Sequence, residues 1–305
     1  MLTWFYSYMR RCDLEQFSQQ IVNGISLGSI YALVALGYTM VYGIIKLINF
    51  AHGDVYMVGA YVGFAVTTFA GIGFIPALIT SMAACAILGM TIEKVAYKPL
   101  RNSTRIAVLI TAIGVSLLLE YGMMYFVGAQ VRSYPKLLSE EVLTIGSVII
   151  KMQQIYIVIT VLVLMVILQY VVKRTKVGKA MRAVSADKDA AQLMGIKIDN
   201  TISFTFAIGS ALAGAGGVLV GIYYNSIDPL MGTMPGLKAF VAAVFGGIGS
   251  IPGAMIGGLS IGMLETFVAG YGSSKLRDAA VFAFLIFVLL LKPSGLLGRD
   301  TKEKV

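Results

Sequence analysis

Stretches of about twenty apolar residues recur along this chain from Ile21 to Leu291, each long enough at about 1.5 Å per residue to cross the hydrocarbon of a bilayer. A chain of 305 residues cannot bury so many of them in soluble cores, and no soluble domain of useful size fits between them. The expected fold class is all-α, a polytopic transmembrane helical bundle. Composition agrees, with 58% apolar and 13% charged residues against soluble norms of roughly 45–50% and about 25%.

The runs extend over about Ile21–Ile45, Val55–Ala70, Phe74–Ile92, Ile106–Val127, Ile155–Val172, Ile202–Tyr224, Leu237–Gly247, Ala254–Ala269 and Ala279–Leu291. Pro76 falls in the first turn of its run, where proline is tolerated. Leu237–Gly247 is short for a crossing, so about eight spans are expected, with one or both short runs re-entrant. Breaks rich in glycine and polar residues interrupt the pattern at Lys46–Asp54 and Gly249–Gly253. Gly-xxx-Gly pairs, among them 24/28, 59/63, 217/221, 249/253, 253/257 and 258/262, allow helices to approach closely. His52-Gly53 before glycines 59 and 63 is echoed weakly by Pro252-Gly253 before glycines 258 and 262. Such an echo suits either two unrelated glycine-rich helices or a transporter-type repeat of broken helices.

The net charge of +9 would suggest nucleic acid in a soluble protein, but here the cations sit between the apolar runs and report membrane orientation instead. Lys94, Lys98, Arg101 and Arg105, the basic loop 173–200, and Lys292, Arg299, Lys302 and Lys304 mark the cytoplasmic side. The segment Ala129–Gln154 is expected outside, with a small hairpin about Gly146-Ser147. Nine crossings and an inside tail would leave the N-terminus outside, whereas Arg10 and Arg11 favour inside. Residues 1–16 place Trp4, Phe5, Tyr6 and Tyr8 before those arginines, as in a helix lying at the headgroups. The run after Ile21 is too long for a signal peptide and reads as a retained helix. Cys12 and Cys85 suggest neither a metal cluster nor a disulfide.

Catalytic chemistry is poorly supplied. His52 is the single histidine, which excludes HExxH and facial-triad metal sites, and Gly178-Lys179 precedes Ala180 without the glycine spacing or hydroxyl of a phosphate loop. The chain is therefore expected to bind no cofactor and to hydrolyse no ATP itself. Charges inside apolar runs cost roughly 2.5–3.5 kcal/mol each and need partners or a wet surface. Asn49, His52, Asp54, Glu120, Lys238 and Glu265 are thus candidates for a translocation path, together with Gly53, Gly59, Gly246 and Gly247 at the breaks. The plainer alternatives are that Glu120 and Glu265 pair with Lys238, and that His52 ties down a helix end.

The loop 173–200 carries seven Lys and Arg against three Asp and has helical propensity from Val177 to Gly195, where glycine is placed to stop it. Met181, Val184, Ala191 and Met194 fall near one face. A basic amphipathic helix commonly rests on anionic lipid, yet Asp189-Ala-Ala-Gln-Leu-Met-Gly195 resembles the EAA loop with which ABC-importer permeases dock into their ATPase. Asp stands where that loop has Glu, and its downstream Ile-x-Leu-Pro is absent.

Three longer blocks extend this likeness: Gly37–Val62 (GYTMVYGIIKLINFAHGDVYMVGAYV), Gly178–Lys197 (GKAMRAVSADKDAAQLMGIK) and Lys238–Glu265 (KAFVAAVFGGIGSIPGAMIGGLSIGMLE). Through them residues 17–298 resemble the branched-chain amino-acid permease family of ABC importers, in its LivH-type branch. The resemblance implies a multi-pass permease domain at 17–298 in a bacterial inner membrane, an N-terminal segment 1–16 outside it, and a cytoplasmic tail 299–305. It implies a second homologous permease subunit, two cytoplasmic ATPase subunits that hold ATP and magnesium, and a periplasmic amino-acid-binding protein. It assigns ATPase coupling to Gly178, Met181, Arg182, Asp187, Asp189, Ala190, Ala191 and Gly195. Two other classes remain as alternatives: an ion-coupled transporter or channel using Glu120 and Glu265, and a membrane enzyme using His52 with Asp54.

Overall fold

The computed structural model describes residues 2–101 and 103–298, with the backbone alone for 2–14 and for residue 105. The side chains of Trp4, Phe5, Tyr6, Tyr8, Arg10, Arg11 and Cys12, and the tail cations Arg299, Lys302 and Lys304, lie outside the described residues. The helices are α1 (Leu2–Ile45), α2 (His52–Ala70), α3 (Phe74–Ile92), α4 (Arg105–Val127), α5 (Met152–Arg174), α6 (Lys176–Ala186), α7 (Lys188–Leu193), α8 (Ile198–Tyr224), α9 (Thr233–Gly246), α10 (Ile251–Tyr271) and α11 (Arg277–Leu291). Two small antiparallel pairs accompany them. Strand β1 (Arg132–Ser133) pairs with β4 (Ser226–Ile227), and β2 (Val142–Ile145) pairs with β3 (Val148–Lys151) about Gly146-Ser147, the hairpin expected from sequence.

Helix α3 has the bounds of its apolar run, while others extend a few residues beyond theirs. At the N-terminus the helix is continuous from Leu2 into the first span. No glycine or proline occurs between Leu2 and Asn23, so nothing stops the helix. Among the described residues, six helical stretches are long and apolar enough to cross a membrane: Glu15–Ile45, Phe74–Leu100, Ile106–Val127, Met152–Arg174, Ile198–Tyr224 and Ile251–Tyr271. Helix α9, with 14 residues, covers about 21 Å of a hydrocarbon layer of about 30 Å.

Helices α1 and α8 form the core: 89% of the most apolar window of each is buried, against 17% for α4. Lipid tails are as apolar as leucine, so close approach of backbones holds such a core more than burial does. Gly28 of α1 meets Gly258 and Leu259 of α10, and Gly262 in turn meets Gly28. On α8, Gly214 lies against Gly59 of α2, where a Cβ would come within 2.5 Å of the Gly214 Cα. Ser81 of α3 locks this contact by donating to the carbonyls of Gly59 at 2.8 Å and Gly214 at 3.1 Å.

The bundle has two distinct ends. At one, Gln19 of α1 exchanges hydrogen bonds of 2.9 Å with the backbone of Ile149 in the hairpin. At the other, the basic face, Ser185 of α6 donates to the Gly43 carbonyl near the end of α1 at 2.5 Å. Helix α2 does not begin at that face. His52 lies against Gly37, about two turns back along α1, and Asp54 accepts from Ser116, the middle residue of α4. Helix α9 likewise begins inside the bundle, where Gly232 meets Gly53. The two breaks that echo one another in sequence are therefore unlike: α2 starts within the bundle, whereas α10 starts where Gly253 meets Gly246 at the far end of α9.

Candidate functional site

On the basic face, Thr175 opens α6 by accepting from the Gly178 N–H at 3.1 Å. A Cβ on Gly178 would collide with the carbonyls of Val171 and Val172, so only glycine lets α6 fold back on the end of α5. Arg182 donates to the Val172 carbonyl, and Met181 and Val184 are buried. The single helix expected from Val177 to Gly195 is in fact two. Asp187 turns extended (φ −154°, ψ 116°) and caps α7 by accepting from the Ala190 N–H at 3.0 Å.

Gly195 ends the unit at φ +81°, its N–H bonded to the Gln192 carbonyl while the Ile196 N–H returns to Ala191. Ala191 is buried, but Met194 does not share its face as expected. The chain has left helical geometry there, and Leu193 and Met194 are 88% and 82% exposed. Asp189 and Ala190 lie on the same exposed tip.

The ten path candidates do not converge. Asn49 accepts from the Tyr97 hydroxyl at 2.8 Å, and Gly59 sits in the α2–α8 contact. Gly246 packs on Gly253, and Gly247 lies at φ +99° against Gly298, where the N–H groups of Leu296 and Leu297 cap the carbonyls of Phe245 and Gly246 at 2.8 and 3.0 Å. His52 is buried edge-on to Tyr38 at 4.6 Å, and its Nε2 makes no hydrogen bond.

Two polar clusters remain inside the bundle. In the first, Asp54 in the opening turn of α2 accepts from Ser116, faces Glu120, and Glu120 accepts from Thr233 in the first turn of α9 at 2.8 Å. No cation pairs with either acid among the described residues; two helix N-termini and two hydroxyls serve instead. In the second, Lys238 lies 2.9 Å from Glu265 and 2.6 Å from Asp278, the Tyr31 hydroxyl donates to Glu265 at 2.8 Å, and Arg277 Nε stands 3.4 Å from Glu265. Glu265 thus pairs with Lys238, as the plainer alternative had it, but Glu120 does not.

Sequence reasoning missed several partners. Arg277 and Asp278 precede the last apolar run and carry no pattern of their own. Glu93 reads as part of a basic gap, yet it is wholly buried, accepting from Arg101 and from Ser203 at 2.5 Å. Arg101 also reaches Asp199 at 2.5 Å, tying the π-helical end of α3, Glu93–Tyr97, to the first turn of α8.

Residues 20–291 match the family model described as branched-chain amino acid transport system, permease component. The chain is 43% identical over 305 residues to the high-affinity branched-chain amino acid transport system permease protein BraD of Pseudomonas aeruginosa, covering 96% of this chain and 99% of that one. It is 44% identical over 306 residues to LivH of Escherichia coli, a permease protein of the same description, with 95% and 98% covered. A probable branched-chain amino acid transport permease protein of Methanocaldococcus jannaschii is 31% identical, with 92% of each chain covered.

Proposed function

The chain belongs to the family of branched-chain amino acid transport system permease components, and from that premise we propose that it is the membrane subunit through which an ATP-driven importer carries leucine, isoleucine and valine across a bacterial inner membrane. It works with a second, homologous permease chain, two cytoplasmic ATPase subunits that bind ATP and magnesium, and a periplasmic binding protein that selects the substrate. This chain contributes no catalytic residue.

The observation that carries the mechanism is the α6–α7 unit. It presents Asp189, Ala190, Leu193 and Met194 to solvent on the basic face while its buried side is bound to the helices behind it. Arg182 and Gly178 join it to the end of α5, Ser185 joins it to α1, and Ile196-Lys197 leads directly into α8. Closure of the ATPase pair moves this unit, and the motion passes to α5 and α8, alternating access to a path between the two permease chains. Asp187 and Gly195 hold the tip rigid at its two ends, and small Ala190 and Ala191 allow a close fit. The acids of the two internal clusters, with Lys238, are assigned to the path side of the bundle.

Co-purification with the partner subunits, followed by ATP hydrolysis with and without leucine-loaded binding protein, tests this reading. A stable complex whose hydrolysis rises with the loaded binding protein is expected. Uptake that persists with ATP depleted and an ion gradient intact would overturn it.

A further inference from the structure

Two cavities open between α1 and its neighbours toward the hairpin end and share Asn23 and Tyr223. The larger, of about 730 Å³, has several amides in its wall, among them Gln16, Gln19 and Gln154. The smaller, of about 240 Å³, continues inward to Glu265 and Arg277. That volume is below the roughly 300 Å³ at which pockets for drug-sized ligands begin, so it suits a ligand of few atoms.

Arg277 sets this inner chamber apart. Its side chain is 41% exposed, and it meets Glu265 and Asp278 only at 3.4 and 3.7 Å through Nε. Both acids already have Lys238 at shorter range, and Glu265 has the Tyr31 hydroxyl as well. No hydrogen bond from the guanidinium forms among the described residues, and with Nε turned to the two acids its two terminal NH2 groups remain, a planar fork whose geometry matches a carboxylate. The four charges of the cluster sum to zero. A zwitterion entering beside them adds no net charge, whereas a lone anion or cation would leave one uncompensated. Leu27 and Ala269 supply apolar wall, and Gln20 lines the chamber as well.

We propose that the inner chamber is a binding site for a zwitterionic aliphatic amino acid within this chain, with the α-carboxylate on the Arg277 guanidinium. The ammonium faces the Gln20 amide, and the branched side chain lies against Leu27 and Ala269. The site receives its ligand through the amide-lined outer cavity. The assignment rests on the importer reading above and adds to it a stop inside the permease.

Equilibrium binding of radiolabelled leucine to the purified importer complex, without binding protein, tests the site. Wild type is expected to bind leucine and to ignore leucinol, which lacks the carboxylate. Arg277→Gln weakens leucine binding by about tenfold or more, and Arg277→Lys, which keeps the charge but loses the fork, weakens it less. Co-purification of each variant with the partner subunits at the wild-type stoichiometry, with a wild-type unfolding midpoint, shows that the complex is folded. Leucine binding equal in wild type and Arg277→Gln, leucinol binding as tight as leucine, or a wild-type complex that imports leucine but binds none would each overturn the chamber. A wild-type complex that imports no branched-chain amino acid would overturn the importer reading instead.

Discussion

The bundle holds carboxylates in its interior in two ways. Around Glu265 the charges alternate: Lys238 and Arg277 answer Glu265 and Asp278, and Tyr31 completes the set. Around Asp54 and Glu120 there is no cation among the described residues, only the opening turns of α2 and α9 and the hydroxyls of Ser116 and Thr233. The first cluster is held by full charges and withstands small shifts of its helices. The second depends on the ends of two broken helices meeting where Gly53 touches Gly232, so it is the one sensitive to relative movement of α2, α4 and α9. Broken helices within the bundle thus do more than interrupt a span; they supply the partial charges that let acids sit there.

Substitutions at the two clusters would separate these modes, each read as a shift in the unfolding midpoint of the purified protein. Lys238→Met leaves two acids sharing one distant arginine and is expected to cost about 3–5 kcal/mol, the largest effect. Adding Glu265→Gln to it removes the stranded charge while keeping an acceptor for Tyr31, and should recover about half of that loss. A double variant less stable than the single would mean that the cluster is not organised by charge. At the other site, Thr233→Val takes a hydroxyl from Glu120 and should cost about 1–2 kcal/mol. Glu120→Gln still accepts from Thr233 and should cost less than about 1 kcal/mol. A loss there as great as for Lys238→Met would point to a cation partner and erase the distinction.

Much of the scaffold was legible in the sequence because membrane helices are written in local composition. The bounds of α3, the hairpin about Gly146-Ser147, and the short α9 follow from apolar runs, turn residues and length. Gly28, Gly258 and Gly262 lie in the close contact that their spacing suggests. The partners across the bundle were less legible, since pairing depends on which helices become neighbours. Lys238 with Glu265 could be guessed because both stand in apolar runs. Arg277, Asp278 and Glu93 stand at the edges of such runs and look solvated until the fold buries or encloses them. Asp187 escaped for a different reason: its neighbours favour helix, and only the local competition of its side chain for the Ala190 N–H breaks the segment in two.

That break gives the exposed tip of α7 its shape, and the central claim is that this tip is where a separate ATPase moves the membrane helices. Ala190→Trp, measured in the assembled importer for leucine uptake and for hydrolysis stimulated by loaded binding protein, tests it most directly. The account predicts that a bulky ring at this close-fitting position lowers uptake at least about tenfold and uncouples it from hydrolysis, while the permease remains folded. Wild-type uptake together with wild-type stimulated hydrolysis would contradict it.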